Sequence, residues 1–142
     1  MRIRKLMATT LAGGALTAGL AMATATPATA DGNTAFETDC SPGEVCLHYN
    51  SSAYGYGAVL VQYGWYSDYA GYTFRAGKNG SAGAGVDVKN NAAAVDSFTG
   101  STFRVFYNSG YNCNVACQDI PPYYTRDLNS TMKNQNASGR TI

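Results

Sequence analysis

The chain has a single histidine, His48, and only two glutamates, Glu37 and Glu44. Beyond residue 40 it has no stretch of ten residues with apolar positions at helical spacing. Each shortage removes a class of function. A metal centre built on two or three imidazoles is excluded, and a Ser-His arrangement would have to use His48. That residue lies beside Leu47 in a strand-like run with no nucleophile-elbow sequence near it, and reads as a strand residue without a catalytic role. A glycosidase needs two converging carboxylates. Glu37 falls in a polar N-terminal stretch, while Asp68, Asp87, Asp96, Asp119 and Asp127 sit in turn-like sequence, where aspartate usually bonds its own backbone. No catalytic residue is therefore assigned, and no enzyme is expected. Leucine is also scarce after the first thirty residues, limited to Leu47, Leu60 and Leu128, so aromatic and β-branched side chains must fill most of any core.

What is present begins with an export signal. Arg2, Arg4 and Lys5 precede an uncharged apolar run over 6–22, and Ala28 and Ala30 form a small-x-small cleavage pattern before Asp31. The run is diluted by Gly13, Gly14 and Gly19 and is short for a membrane span. Residues 1–30 are thus expected to be a secretory signal peptide, with a secreted, extracellular product and no membrane association. Removing three of ten cations leaves seven against nine acidic residues, a net charge of −2 where the whole chain carries +1. The remaining cations are scattered singly, which excludes a nucleic-acid footprint. The 112 residues left (142 − 30) suit one small domain. Residues 31–39 read as a flexible lead-in and 40–142 as the domain, expected to act as a monomer.

Cys40, Cys46, Cys113 and Cys117 are an even set in an exported chain, which favours disulfides. Of the three connectivities, the simplest joins Cys40 to Cys46 and Cys113 to Cys117, closing two short loops that fix local shape. Spacings of C-x5-C and C-x3-C are unusual for zinc knuckles. Strand candidates are 45–49, 58–63, 72–75, 94–98, 102–107 and 123–127, separated by turns rich in Gly, Asn and Ser. The segment 76–85, with four glycines, reads as a flexible loop.

Two internal echoes organise these strands. Leu47-His48-Tyr49-Asn50-Ser51 leading to Tyr54-Gly55-Tyr56 is matched by Val105-Phe106-Tyr107-Asn108-Ser109 leading to Gly110-Tyr111. Val88-Lys89-Asn90-Asn91-Ala92 is matched by Met132-Lys133-Asn134-Gln135-Asn136. A strand, an aromatic turn, a long arm and a Lys-Asn turn thus occur twice. The expected fold is all-β: two Greek keys packed as a sandwich.

These residues also carry a family resemblance. Cys40-Ser-Pro-Gly-Glu-Val-Cys46-Leu-His-Tyr49, the Asn-rich turn before Ala-x-Val-x-Ser-Phe at 90–98, Phe103 to Tyr107 running into Asn-Ser-Gly-Tyr-Asn-Cys113, and Lys133-Asn-Gln-Asn-Ala-Ser138 resemble peptidase inhibitor family I36 over 40–138. Those are small secreted actinobacterial proteins with a βγ-crystallin-like double Greek-key fold, and their founding member blocks thermolysin-type metalloproteases. The resemblance implies an extracellular protease as partner, a metalloprotease for preference, and no cofactor. It places the inhibitory loop at Cys113, Asn114, Val115, Ala116 and Cys117, with Cys113–Asn114 as the protease-facing bond. Here the loop is one residue shorter than the family's, and Asn114 stands where an apolar side chain would suit such an enzyme. Val115 fills that place if the register shifts by one. Pro121 and Pro122 stiffen the exit.

Two further features bear on binding. Trp65, Tyr66 and Tyr69, in the aromatic stretch 63–74, are candidates for a surface that stacks on cell-wall polysaccharide or grips a cell surface, the device of a killer-toxin-like binding module. Most of that stretch is nonetheless expected in the core. Crystallin-like Greek keys often bind calcium through an Asn/Asp-Asn/Asp-x-x-Ser/Thr-Ser arc. Residues 90–95 put Ala and Val where both hydroxyls belong, and 134–139 recover one hydroxyl and lose an Asn, so no metal site is expected.

Overall fold

The computed structural model describes residues 38–142; the expected signal peptide and most of the lead-in lie outside them. Seven strands follow one another: β1 (Glu44–His48), β2 (Val59–Tyr63), β3 (Ala94–Ser97), β4 (Phe103–Asn108), β5 (Asn112–Ile120), β6 (Thr125–Asp127) and β7 (Ser138–Thr141). A 3-10 turn, Ser52–Tyr54, stands between β1 and β2. The strands form two antiparallel sheets, ordered β2-β1-β3-β6 and β5-β4-β7.

The duplication read from the echoes is present in the backbone. Leu47 pairs with Val95 in the first sheet as Val105 pairs with Gly139 in the second, and His48 pairs with Ala94 as Phe106 pairs with Ser138. Asn90 and Asn134, first residues of the two Asn-rich turns, are both left-handed, as are Tyr56 and Tyr111 in the two aromatic turns. Tyrosine seldom adopts positive φ, so its recurrence at matched positions reflects a shared geometry. The halves exchange segments. β6, from the second half, completes the first sheet against β3, and Tyr66, from the first half, bridges Gly139 of β7. The Asn turns also bond reciprocally: Asn90 N–H donates to the Asn136 carbonyl, and Asn134 N–H to the Ala92 carbonyl. Neither half can close its sheets alone.

Val45, Leu47, Val95, Phe103, Val105, Ile120, Phe74, Tyr69, Val88 and Met132 form the core between the sheets, so aromatics and β-branched residues do supply most of it. Cys46 points to the opposite face of β1, where Cys40 and Val59 join it. The Cys40–Cys46 disulfide therefore fastens the incoming chain across that face. Thr38 donates its hydroxyl to Asp96, and Asp39 accepts the Lys78 N–H, so the expected looseness of the lead-in does not reach these two residues.

Three elements differ from the sequence-based expectation. Residues 72–75 form no strand. Instead Arg75 makes an isolated bridge to Val59 and Thr73 to Asp87, so the Gly-rich arm straps the edge of β2. The arm is seated as well as bent: a Cβ on Gly83 would lie 2.1 Å from the Tyr49 ring. β7 lies where no strand is expected; Asn136, Ser138 and Gly139 are poor strand formers, and pairing with β4 and Tyr66 overrides that propensity. β5 stands where a disulfide-closed loop between strands is expected.

His48 is fully buried, edge-on to Tyr56 at 5.3 Å between ring centroids. Burial pushes its imidazole down to about 4, against the weaker pull of Asp39 in the other direction. The unfolded chain takes up a proton near 6.5 and the folded one only near 4, so stability is full above pH 6.5 and falls as pH drops toward 4. The loss should approach about 3 kcal/mol. Asp96, raised by burial, contributes in the opposite sense: its stability is present at low pH and lost as pH rises. Thermal melts between pH 4 and 7 on the native chain and on His48→Phe isolate the imidazole: the variant should have the shallower profile, and identical slopes would refute the assignment.

Candidate functional site

β5, of nine residues, has no counterpart of its length in the first half, where β2 has five. Its pairing with β4 keeps one register from Phe103 with Ile120 to Phe106 with Cys117, then shifts to Asn108 with Asn112. Residues 113–116 are left looping out of the ladder opposite Tyr107, as a bulge closed at its base by the Cys113–Cys117 disulfide with 5.2 Å between Cα atoms. The segment expected as a loop between strands is therefore a bulge within one strand. Asn and Cys are weak strand signals, which is why the flanking ladder was not legible.

The base of the bulge is braced on both sides. Arg104 donates two charge-assisted bonds to Asp119, at 2.5 and 2.8 Å, which holds the Asp119 carboxyl below the usual range. Gln118 donates to the Asp127 carbonyl and accepts from Asn129 N–H. On the other side, Tyr111 N–H donates to Ser138 Oγ, which donates in turn to the Asn108 carbonyl. Within the bulge, Asn112 Oδ1 accepts the Asn114 N–H at 2.7 Å. Val115 is 61% exposed, an apolar side chain presented to solvent. β5 is also an edge strand of its sheet, whereas the edge of β2 in the other half lies under the Arg75 strap.

The aromatic candidates do not form one surface. Tyr69 is 0% exposed and belongs to the core, where its hydroxyl donates to Gln62 Oε1 at 2.7 Å. Its assignment to a binding surface is corrected accordingly: its N–H is bonded to the Ala137 carbonyl and its hydroxyl to Gln62, which together seat the ring in the core. Tyr66 is stacked on Tyr72 at 4.6 Å. Trp65 alone stays well exposed, at 62%, with its indole N–H bonded to Thr141 and the Arg140 guanidinium 5.6 Å from its ring.

The Asn-rich arcs do not fit a divalent cation. The Asn136 amide is buried and both its ends are used, accepting from Ala92 N–H and donating to the Val88 carbonyl. The Lys89 and Lys133 ammonium groups lie near the arcs, bonded to Ser109 and Ser51. No cluster of three or more His, Cys, Asp or Glu side chains suited to a metal occurs among the described residues.

No protein-family model and no curated relative matches the chain. Solved structures do. A structure from work on the evolution of the eye lens βγ-crystallin domain fold aligns with 75% of this chain and 92% of its own, at TM-score 0.56 and 12% identity. The N-terminal domain of protein S aligns with 70% of this chain and 94% of its own, at TM-score 0.49 and 18% identity. A βγ-crystallin from an archaeon aligns with 72% of this chain and 100% of its own, at TM-score 0.47 and 15% identity. The fold of this chain is that of the βγ-crystallins, two antiparallel Greek-key sheets carrying two short-loop disulfides.

Proposed function

We propose that the chain is a secreted peptidase inhibitor that enters the cleft of an extracellular metalloprotease with the bulge 113–117. The observation that supports this best is the form of the bulge: exposed, closed by a disulfide, and held between paired stretches of β4 and β5. A loop ordered beforehand loses little conformational entropy on binding. If the protease cuts it, the disulfide and the flanking ladders keep the new ends together, so the cut bond stays poised for resealing and the inhibitor stays bound.

Within the bulge, Val115 is the apolar side chain offered to a partner, and Asn114 is tied back to Asn112. The protease-facing bond is accordingly Asn114–Val115, one residue on from the position the family resemblance implies. Burying a valine contributes about 1.5–3 kcal/mol. Val115→Asp should therefore weaken inhibition of a thermolysin-type protease by roughly ten- to a hundredfold, or more where the carboxylate is left unpaired. Circular dichroism should be unchanged, since Val115 makes no core contact. Full-strength inhibition by Val115→Asp would refute the bulge as the contact.

A further inference from the structure

The duplication creates two related clefts, one at each Lys-Asn turn. One is lined by Tyr107, Asn108, Ser109, Gln135 and Ala137, with Lys89 and Asn90 crossing from the other half. Its counterpart is lined by Tyr49, Asn50, Ser51, Asn91 and Ala93, with Lys133 and Asn134 crossing over, and by one extra residue, Tyr54. The positions correspond one to one, so each cleft is an internal control for the other.

They differ in charge and in aromatic surface. Lys89 is neutralised by Asp68 at 2.9 Å and donates to Ser109. Among the described residues no carboxylate pairs with Lys133; its ammonium reaches only Ser51 Oγ, at a long 3.4 Å, and lies 5.8 Å from the Tyr54 ring. Tyr54 comes from the 3-10 turn Ser52–Tyr54, which the second half lacks, and it is 75% exposed. The nearby carboxylate of Asp127 accepts from Ser52 N–H and Oγ and caps the turn that carries Tyr54.

We infer that the cleft between Ser51, Tyr54 and Lys133 is a binding site for an acidic monosaccharide unit, such as a uronic acid at a chain end. An ammonium with donors to spare takes the carboxylate. An exposed tyrosine beside it offers a face to the apolar side of a pyranose ring. Asn50, Asn91 and Asn134 supply amide donors and acceptors for hydroxyls. The volume, about 280 Å³, suits a single ring. This site is independent of the inhibitory bulge and stands whether or not the chain blocks a protease.

The test is a titration of the ¹⁵N-labelled chain with glucuronate, glucose and acetate, followed by amide shifts. Glucuronate should shift Asn50, Ser51, Asn91 and Asn134, saturating at about millimolar concentration, as expected for a single small ring. Glucose and acetate should each bind at least tenfold more weakly. Lys133→Gln and Tyr54→Ala should each weaken the response at least tenfold, while Lys89→Gln, in the control cleft, should leave it unchanged. Both altered side chains are partly or well exposed, so folding is not at stake. Acetate binding as tightly as glucuronate, equal loss on Lys89→Gln, or an unchanged response in Lys133→Gln would each overturn the inference.

Discussion

Replacing Gly139 with alanine is expected to destabilise the domain by about 3–5 kcal/mol, the sum of an overpacked core and a disrupted buried hydrogen bond. Gly139 lies in β7 with ordinary negative φ, so backbone strain plays no part. A Cβ there would stand 2.2 Å from the Tyr69 hydroxyl and 2.6 Å from Phe103 Cζ. Both side chains are fully buried, so neither can swing into solvent. Tyr69 is also tied to a polar group in the interior. Its hydroxyl donates to Gln62, which donates from Nε2 to the carbonyls of Gly64 and Gly139 at 2.8 and 3.0 Å. Moving the tyrosine leaves Gln62 Oε1 without that donor. In a domain of this size the loss should lower the melting temperature by roughly 15–30 °C. A cycle with Tyr69→Phe separates the two contributions: removing the hydroxyl relieves the closer clash, so the double variant should be less destabilised than the sum of the singles. A Gly139→Ala protein that melts within a few degrees of the native chain would contradict the packing described.

The second large effect concerns the disulfide of the bulge. Changing Cys113 and Cys117 together to serine should convert the chain from an inhibitor of a thermolysin-type protease into a substrate. Without the bridge, residues 113–116 are held by the ladders on either side and by the Asn112–Asn114 bond, and a cut between Asn114 and Val115 frees ends that can separate. The reference is the native chain, in which the bridge closes only a short loop and so adds little chain-entropy stability. The fold should survive, with the Cys40–Cys46 bridge and both sheets intact. Intact-mass measurement after incubation with protease should show progressive cleavage of the variant between Asn114 and Val115, where the native chain shows none or a constant trace. Equal resistance of the two proteins would mean that the bridge is a staple for the strand and has no part in inhibition.

Much of this architecture was legible in the sequence. The apolar run from Val45 and the alternation of Phe103, Arg104 and Val105 are enough to place β1 and β4, and the paired Lys-Asn turns point to a duplicated unit. What was not legible depended on tertiary context. β7 has Gly139 where the matched position of the first half has Val95, because Tyr69 and Phe103 fill the space a side chain would take. Tyr69 and Trp65 belong to one aromatic run, and nothing in composition says that one turns inward and the other out. The decision rests on which residues of the exchanged segment face β7. The bulge was legible as a disulfide-closed loop from its cysteine spacing, but its place within a strand depends on a register shift against β4 that no local pattern encodes. The unequal clefts at Lys89 and Lys133 are likewise a product of the duplication: the same Lys-Asn signal occurs twice, and only the packed structure sets Asp68 beside one and Tyr54 beside the other.

The most direct test of the inhibitor proposal is a titration of a thermolysin-type metalloprotease, a serine protease and a cysteine protease with the oxidised chain beginning at Asp31. Stoichiometric loss of metalloprotease activity, with the other two unaffected, is the predicted result. Undiminished activity of all three enzymes at a large molar excess of the chain would contradict it.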